Sequence, residues 1–171
     1  MKFNLLNRKV HYWLSIGAAI PIIIVIATGI LLQVKKQFTW VQPAEQRGQS
    51  KTANLSLPQI LEISKTVPEA EIKSWDDINR LDVRPSRGML KVFAKNHWEI
   101  QIDSETGAIL QTAYRRSDII ESIHDGSFFH DYVKLWIFLP SGIILLILWL
   151  TGMYLFILPI WVKSRRRASK S

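Results

Sequence analysis

Histidine is the residue type in this chain best suited to hold a metal or a metal-bearing cofactor. Four histidines are present: His11, His97, His124 and His130. A neutral imidazole ring is a common metal ligand and also binds the iron of haem. Cysteine is absent, which excludes disulfides, thiolate metal sites and cysteine nucleophiles. The motifs of serine hydrolases, zinc peptidases and phosphate-binding loops are absent as well, so the sequence contains no hydrolase or transferase motif.

Two long uncharged segments predict where the chain crosses a membrane, and so where these histidines lie relative to it. His11–Val34 contains 24 residues and Leu135–Val162 contains 28 residues without Lys, Arg, Asp or Glu. Roughly 20 apolar residues in a helix cross a hydrocarbon core of about 30 Å, so we predict transmembrane helices over 11–34 and 134–162. The first run is longer than the roughly 7–15 apolar residues of a cleaved signal peptide and lacks a small-residue cleavage site. We therefore expect it to remain as an anchor.

The basic residues predict the orientation. The two tails, 1–10 and 163–171, carry eight Lys or Arg residues and no acid, which accounts for the whole formal net charge of +8. Short basic flanks stay in the cytoplasm, so we predict a bacterial-type inner-membrane protein with both ends cytoplasmic. The high pI of about 9.9 arises from these two basic tails and is therefore explained by the predicted topology. We expect a lipid bilayer and no nucleic acid as a partner, because no basic patch interleaved with aromatics occurs between the spans.

The segment between the spans is predicted to lie outside the cytoplasm. Residues 35–55 are polar and indicate a linker, 56–116 a small folded domain, and 117–133 a juxtamembrane helix followed by a His-Asp-Gly segment. Ser56 and Pro58 open a helix that Val67-Pro68 ends. Gly107 is expected to supply a positive φ in the turn that begins at Asp103. Period-two alternation predicts strands at 72–75, 80–84, 89–94, 97–102 and 108–114.

The predicted fold is thus an α+β membrane protein. Two transmembrane helices flank an extracytoplasmic domain made of one helix and an antiparallel β meander. Within that domain, the run Ile102-Asp103-Ser-Glu-Thr106-Gly107-Ala-Ile109-Leu110 resembles the hairpin of the PepSY domain. Further pieces resemble the PepSY-associated transmembrane helix family: His11-Tyr-Trp-Leu14, Ala27-Thr-Gly-Ile-Leu31, Ile123-His-Asp-Gly-Ser-Phe-Phe129 and Leu150-Thr-Gly-Met-Tyr-Leu155.

This resemblance covers residues 8 to 162 and implies an electron-transfer activity. Larger relatives have four spans and are associated with reduction of iron–siderophore complexes, with electrons crossing the membrane through haem. This chain, with two predicted spans and one PepSY unit, resembles half of such a protein. The resemblance therefore implies a haem-b-bearing electron-transfer subunit, acting on an iron complex or a flavin-bearing periplasmic partner.

The placement of the histidines restricts how haem could be held. A straight helix from His11 to Val34 would be about 35 Å long, so His11 and the pair His124 and His130 are expected at opposite membrane borders. We therefore hypothesise an inner haem held by His11 from two protomers of a homodimer. An outer haem would use His124 or His130, again with a second histidine. Two chains would supply the four helices that enclose a cofactor.

Other interpretations of these residues stay open at the level of sequence. His11 can be an interfacial residue among the headgroups, His124 a C-terminal helix cap, and His130 with Asp131 a solvated border pair. His97 is predicted to be structural. A metal site from His124, Asp125, His130 and Asp131 matches no standard helical ligand spacing. The alternative function is a membrane-anchored PepSY binding or inhibitory module, or an accessory subunit, without redox activity.

Overall fold

The computed structural model describes residues 2–49 and 51–168, with side chains at 5–49 and 51–162. The chain divides into two compact units. One contains Met1–Ile30 and Glu121–Ser171, and the other contains Leu31–Ile120. The predicted basic tails lie partly outside the described residues, because no side chain is described for Lys2 or for residues 163–171.

The first apolar run forms two helices, α1 (Lys2–Gly17) and α2 (Ala19–Gln33), bent by 69°. Pro21 explains the break, because it has no N–H to donate to the carbonyl of Gly17. The sequence predicted one helix over 11–34. The two helices pass the length and hydropathy criteria for a span only when they are counted together, so the first span stays a prediction.

The second apolar run lies in one continuous helical stretch. It contains α5 (Asp131–Val133), a π-helical turn at Lys134–Phe138 and α6 (Leu139–Ala168). Residues Asp131–Val162 are long and apolar enough to cross a bilayer, and none of their most apolar window is buried inside the protein. Large side chains such as Trp149 and Phe156 are more than half exposed, so they require an apolar surrounding such as lipid.

The other unit is built on a four-stranded antiparallel sheet of order β1-β2-β3-β4. Its elements are α3 (Leu57–Lys65), β1 (Ile78–Arg84), β2 (Met89–Ala94), β3 (Trp98–Asp103) and β4 (Ile109–Tyr114). Helix α4 (Arg116–Asp125) follows the last strand, and its residues from Glu121 onward belong to the first unit. The helix-plus-meander prediction is confirmed. The predicted strand at 72–75 is wrong: this segment has no strand and leads into a 3-10 turn at Trp75–Asp77.

One face of the sheet carries the hydrophobic core, where Ile60 of α3 packs with alternate strand residues including Val92, Ile100 and Ile102. Alternation places polar residues on the opposite face, yet these are buried too: Lys91, Glu99, Gln101 and Asp103. Part of the predicted linker covers them. The backbone of residues 44–49 bonds to the Gln101 amide and to Asp103, and Glu45 pairs with Lys91 at 3.1 Å.

Candidate functional site

The unit with the apolar helices holds two contacts of the same kind between a histidine and a Thr-Gly pair. The first joins α1 to α6. His11 Nδ1 lies 3.0 Å from Thr151 Oγ1, and the next residue is Gly152. A Cβ atom at Gly152 would lie 3.8 Å from His11 Cε1, so the imidazole ring packs directly against the glycine.

The second contact joins the end of α4 to α2. His124 Nδ1 lies 2.9 Å from Thr28 Oγ1. A Cβ atom at Gly29 would lie only 3.3 Å from His124 Cε1, which is closer than the equivalent approach at Gly152. The arrangement is reciprocal: His11, at the start of the first apolar run, contacts the Thr-Gly pair of the second run, and His124, which precedes the second run, contacts the Thr-Gly pair of the first.

Each threonine hydroxyl also lies close to a carbonyl of its own helix. Thr28 Oγ1 lies 2.6 Å from the carbonyl oxygen of Ile24, and Thr151 Oγ1 lies 2.8 Å from that of Ile147. A hydroxyl that donates its single proton to this carbonyl has its oxygen free to accept from an imidazole N–H. The contacts therefore suit histidines that carry the proton on Nδ1, the form in which the Nε2 lone pair is available.

Each histidine lines its own cleft. The cleft of His11 has a volume of about 490 Å³ and is walled by Arg8, Tyr12, Ser15, Ile16, Ala19 and Leu155. The cleft of His124 has a volume of about 450 Å³ and is walled by Val25, Asp125, Lys134, Phe138, Leu139, Gly142, Ile143 and Leu146. Both volumes lie in the range of ligand pockets. Each cleft combines one imidazole, mostly apolar walls and one basic side chain.

The His-Asp-Gly segment is held firmly beside the second cleft. Asp125 accepts from the Ser127 N–H at 2.9 Å and pairs with Lys134 at 2.5 Å. Burial alone would raise the pKa of Asp125, but the bonds from Lys134 and Ser127 outweigh it and lower the pKa to about 2. Gly126 has φ +83°, and a Cβ there would lie 2.5 Å from the ring of Phe138 in the π-helical turn. This segment therefore needs glycine.

The other two histidines make different contacts. His130 caps the helix that starts at Asp131, and its Nδ1 accepts from the Tyr132 N–H at 3.2 Å. Its ring stacks on Tyr132. An accepting Nδ1 places the proton of a neutral ring on Nε2, the opposite of His11 and His124. His97 lies in the β2–β3 turn with φ +69° and packs edge-on to Tyr114.

The structure thus brings His11 and His124 into separate clefts, and it does not bring His130 into either. Among the described residues no group of three or more His, Asp or Glu side chains could hold a bare metal ion. From the sequence, Thr28 and Thr151 were noted only within segments that resemble the family and were not predicted to contact a histidine. Local spacing gives no signal for these contacts, since the paired residues are 96 and 140 positions apart.

Comparison with known protein families agrees with this architecture. The model of the PepSY-associated TM region family matches residues 8–171, essentially the whole chain, so the chain belongs to this family. It is accordingly a membrane protein with a PepSY-type domain. No curated protein and no solved structure matches the chain.

Proposed function

We propose that this member of the PepSY-associated TM region family is a haem-b-bearing electron-transfer subunit of the bacterial cytoplasmic membrane. It would carry electrons from the cytoplasmic side to an acceptor outside, such as an iron complex or a flavin-bearing protein. One observation carries the proposal. Two imidazoles, one on α1 and one at the end of α4, each line a cleft and bring Nδ1 within 3.0 Å of a threonine hydroxyl. This arrangement suits the Nδ1–H form, which ligates iron through Nε2.

The residues around each imidazole fit a haem. Helix side chains such as Ile16 and Ile143 would cover the porphyrin faces, and the basic groups of Arg8 and Lys134 suit its carboxylates. Haem supplies a reversible one-electron couple when bound. His11 and His124 would hold the iron, and the cleft walls would supply the apolar surrounding that tunes the potential.

The spacing of the clefts suits transfer across the membrane. Gly142 borders the His124 cleft, and Gly152 contacts His11 on the same helix. These two glycines are separated by about 15 Å along the axis of α6 at about 1.5 Å per residue. Because the clefts are displaced along a helix that can span a bilayer, carriers held by His11 and His124 would sit at different depths.

Each cleft offers one imidazole from this chain. A homodimer would provide a second imidazole for each haem, so that His11 of two copies would hold one haem and His124 of two copies would hold the other. The proposed stoichiometry is therefore about one haem per chain. Both termini are proposed to be cytoplasmic, as the basic tails indicate.

The test is the visible spectrum of the full chain, made with haem available and purified in detergent. We expect a Soret band, with split α and β bands after reduction by dithionite. His11→Ala and His124→Ala should each lose about half of the haem. His97→Asn is the matched control, because asparagine tolerates a positive φ and the residue lies outside both clefts. A folded but colourless wild-type protein would contradict the proposal and favour a non-redox membrane-anchored module.

A further inference from the structure

We infer that Thr28 and Thr151 are positioning residues: each hydroxyl holds its partner imidazole in the Nδ1–H form and so keeps Nε2 available as a ligand. The consequences for a bound haem rest on the proposed function. The tautomer itself does not, because it follows from the hydrogen bonds of the chain alone.

The hydroxyl and the tautomer are coupled through the threonine proton. In each contact Oγ1 lies within hydrogen-bond distance of a carbonyl oxygen of the preceding helical turn, at 2.6 Å for Thr28 and 2.8 Å for Thr151. While the proton is in that bond, an imidazole protonated on Nε2 would face the hydroxyl oxygen lone pair to lone pair, at about 3 Å. A free neutral histidine favours the Nε2–H form. The threonines therefore reverse the intrinsic preference of His124 and His11.

The same contact also fixes the orientation of each ring. A hydroxyl bonded back to its own helix has a defined position, and the imidazole must bring Nδ1 to it. The glycine that follows each threonine leaves room for the ring edge, since Cε1 of His124 approaches Gly29 closely. Each Thr-Gly pair thus forms one binding site for an imidazole: the threonine hydroxyl accepts the hydrogen bond, and the glycine leaves space for the ring beside the backbone.

When Nδ1–H donates a hydrogen bond to the threonine, Nε2 becomes a stronger electron donor to a metal. Partners of this kind orient metal-ligating histidines and raise their basicity, and their loss costs roughly 10–100-fold in affinity. A more basic axial imidazole favours the ferric over the ferrous state. Removal of the hydroxyl should therefore weaken haem retention and raise the midpoint potential of the corresponding haem.

Helix α6 provides a matched control in Ser141. Its Oγ donates to the carbonyl oxygen of Ile137 at 2.6 Å, which is the same back-bond that Thr151 makes. Ser141 is buried and contacts no histidine in the described hydrogen bonds. Ser141→Ala therefore removes a back-bonded hydroxyl from the same helix without affecting an imidazole.

The test compares Thr28→Val, Thr151→Val, Thr28→Ser, Thr151→Ser and Ser141→Ala in the full chain. The first measurement is side-chain ¹⁵N NMR of the haem-free protein at alkaline pH, where imidazole is neutral. We expect Nδ1–H signals for His11 and His124 in the wild type. Each valine variant should convert its own histidine to the Nε2–H form, and each serine variant should keep the wild-type form.

The second measurement is haem titration with a redox titration of the loaded protein. Each valine variant should bind haem about 10–100-fold more weakly at its own site and with a higher potential, whereas Ser141→Ala should match the wild type.

Wild-type histidines in the Nε2–H form would overturn the inference whether or not haem binds. Nδ1–H histidines in a protein that takes up no haem would refute the proposed function and leave the threonine assignment standing. If a valine variant does not fold, the wild-type tautomers and the serine variants still test whether the threonine hydroxyls set the tautomer.

Discussion

A methyl group added at Gly29 should weaken the His124 site, whereas the same change at Gly152 should leave the His11 site almost unaffected. The added Cβ would lie 3.3 Å from His124 Cε1 in the first case and 3.8 Å from His11 Cε1 in the second. The larger value is an ordinary van der Waals contact. The smaller one requires the ring of His124 to move by a few tenths of an ångström.

Such a shift acts directly on the hydrogen bond to Thr28. That bond is 2.9 Å long, so a displacement of about 0.3 Å takes it to the long end of useful N–H···O distances, about 3.2 Å. A hydrogen bond contributes about 0.5–1.5 kcal/mol, and about 1.4 kcal/mol equals a tenfold change in affinity. Complete loss of the bond would therefore reduce haem affinity by roughly two- to tenfold, and Gly29→Ala, which lengthens the bond, should weaken the His124 site by an amount within that limit.

The two variants form a matched pair. Both replace a helical glycine that follows a back-bonded threonine, and both gain about 1 kcal/mol of helix propensity. Haem titration followed at the Soret band, in backgrounds that lack the other histidine, measures each site separately. Equal loss in the two variants, or a larger loss for Gly152→Ala, would refute the assignment of these rings to the Thr-Gly pairs.

Three further predictions concern other parts of the chain. Gly48→Ala should destabilise the β-sheet unit by about 3 kcal/mol in chemical denaturation, because its Cβ would overlap the carbonyl oxygen of Gly88; an unchanged denaturation midpoint would argue against this close approach. The N–H groups of Thr106 and Gln49 lower the pKa of Asp103 to about 2 from 3.8, so this carboxylate stabilises the fold by about 2 kcal/mol above pH 4. That contribution should fade as the pH falls from about 4 to 2, and Asp103→Asn should flatten this dependence; an unchanged slope would argue against it. His130→Ala should keep the wild-type haem content and lose about 1 kcal/mol of helix-cap stability, which His130→Asn should restore; a loss of haem instead would make His130 a ligand.

Local patterns were sufficient to predict most of the β-sheet unit. Alternation at Leu90 and Val92 gave β2 with its observed bounds, Met89–Ala94. The turn after Asp103 formed as predicted, with φ +77° at Gly107. The strand bounds elsewhere shifted by one or two residues; His97, for example, takes a positive φ in the turn before β3.

Features that depend on distant partners could not be predicted in this way. The polar composition of residues 35–55 indicated a linker, but burial of Lys91 and Gln101 on the second sheet face requires part of that segment as cover. The bend after Gly17 arises at Pro21 within a run that is otherwise uniformly apolar, so the hydropathy of the run gave no sign of it. The contacts of His11 and His124 with threonines join residues far apart in the sequence, so no local spacing signals them.

In the proposed function, His11 and His124 hold two separate haems. A potentiometric titration of the purified full chain, monitored by its visible spectrum, tests whether they do. We expect two one-electron components, of which His11→Ala removes one and His124→Ala removes the other. A single component that survives in both variants, or no redox-active absorbance in the folded wild-type protein, would contradict it.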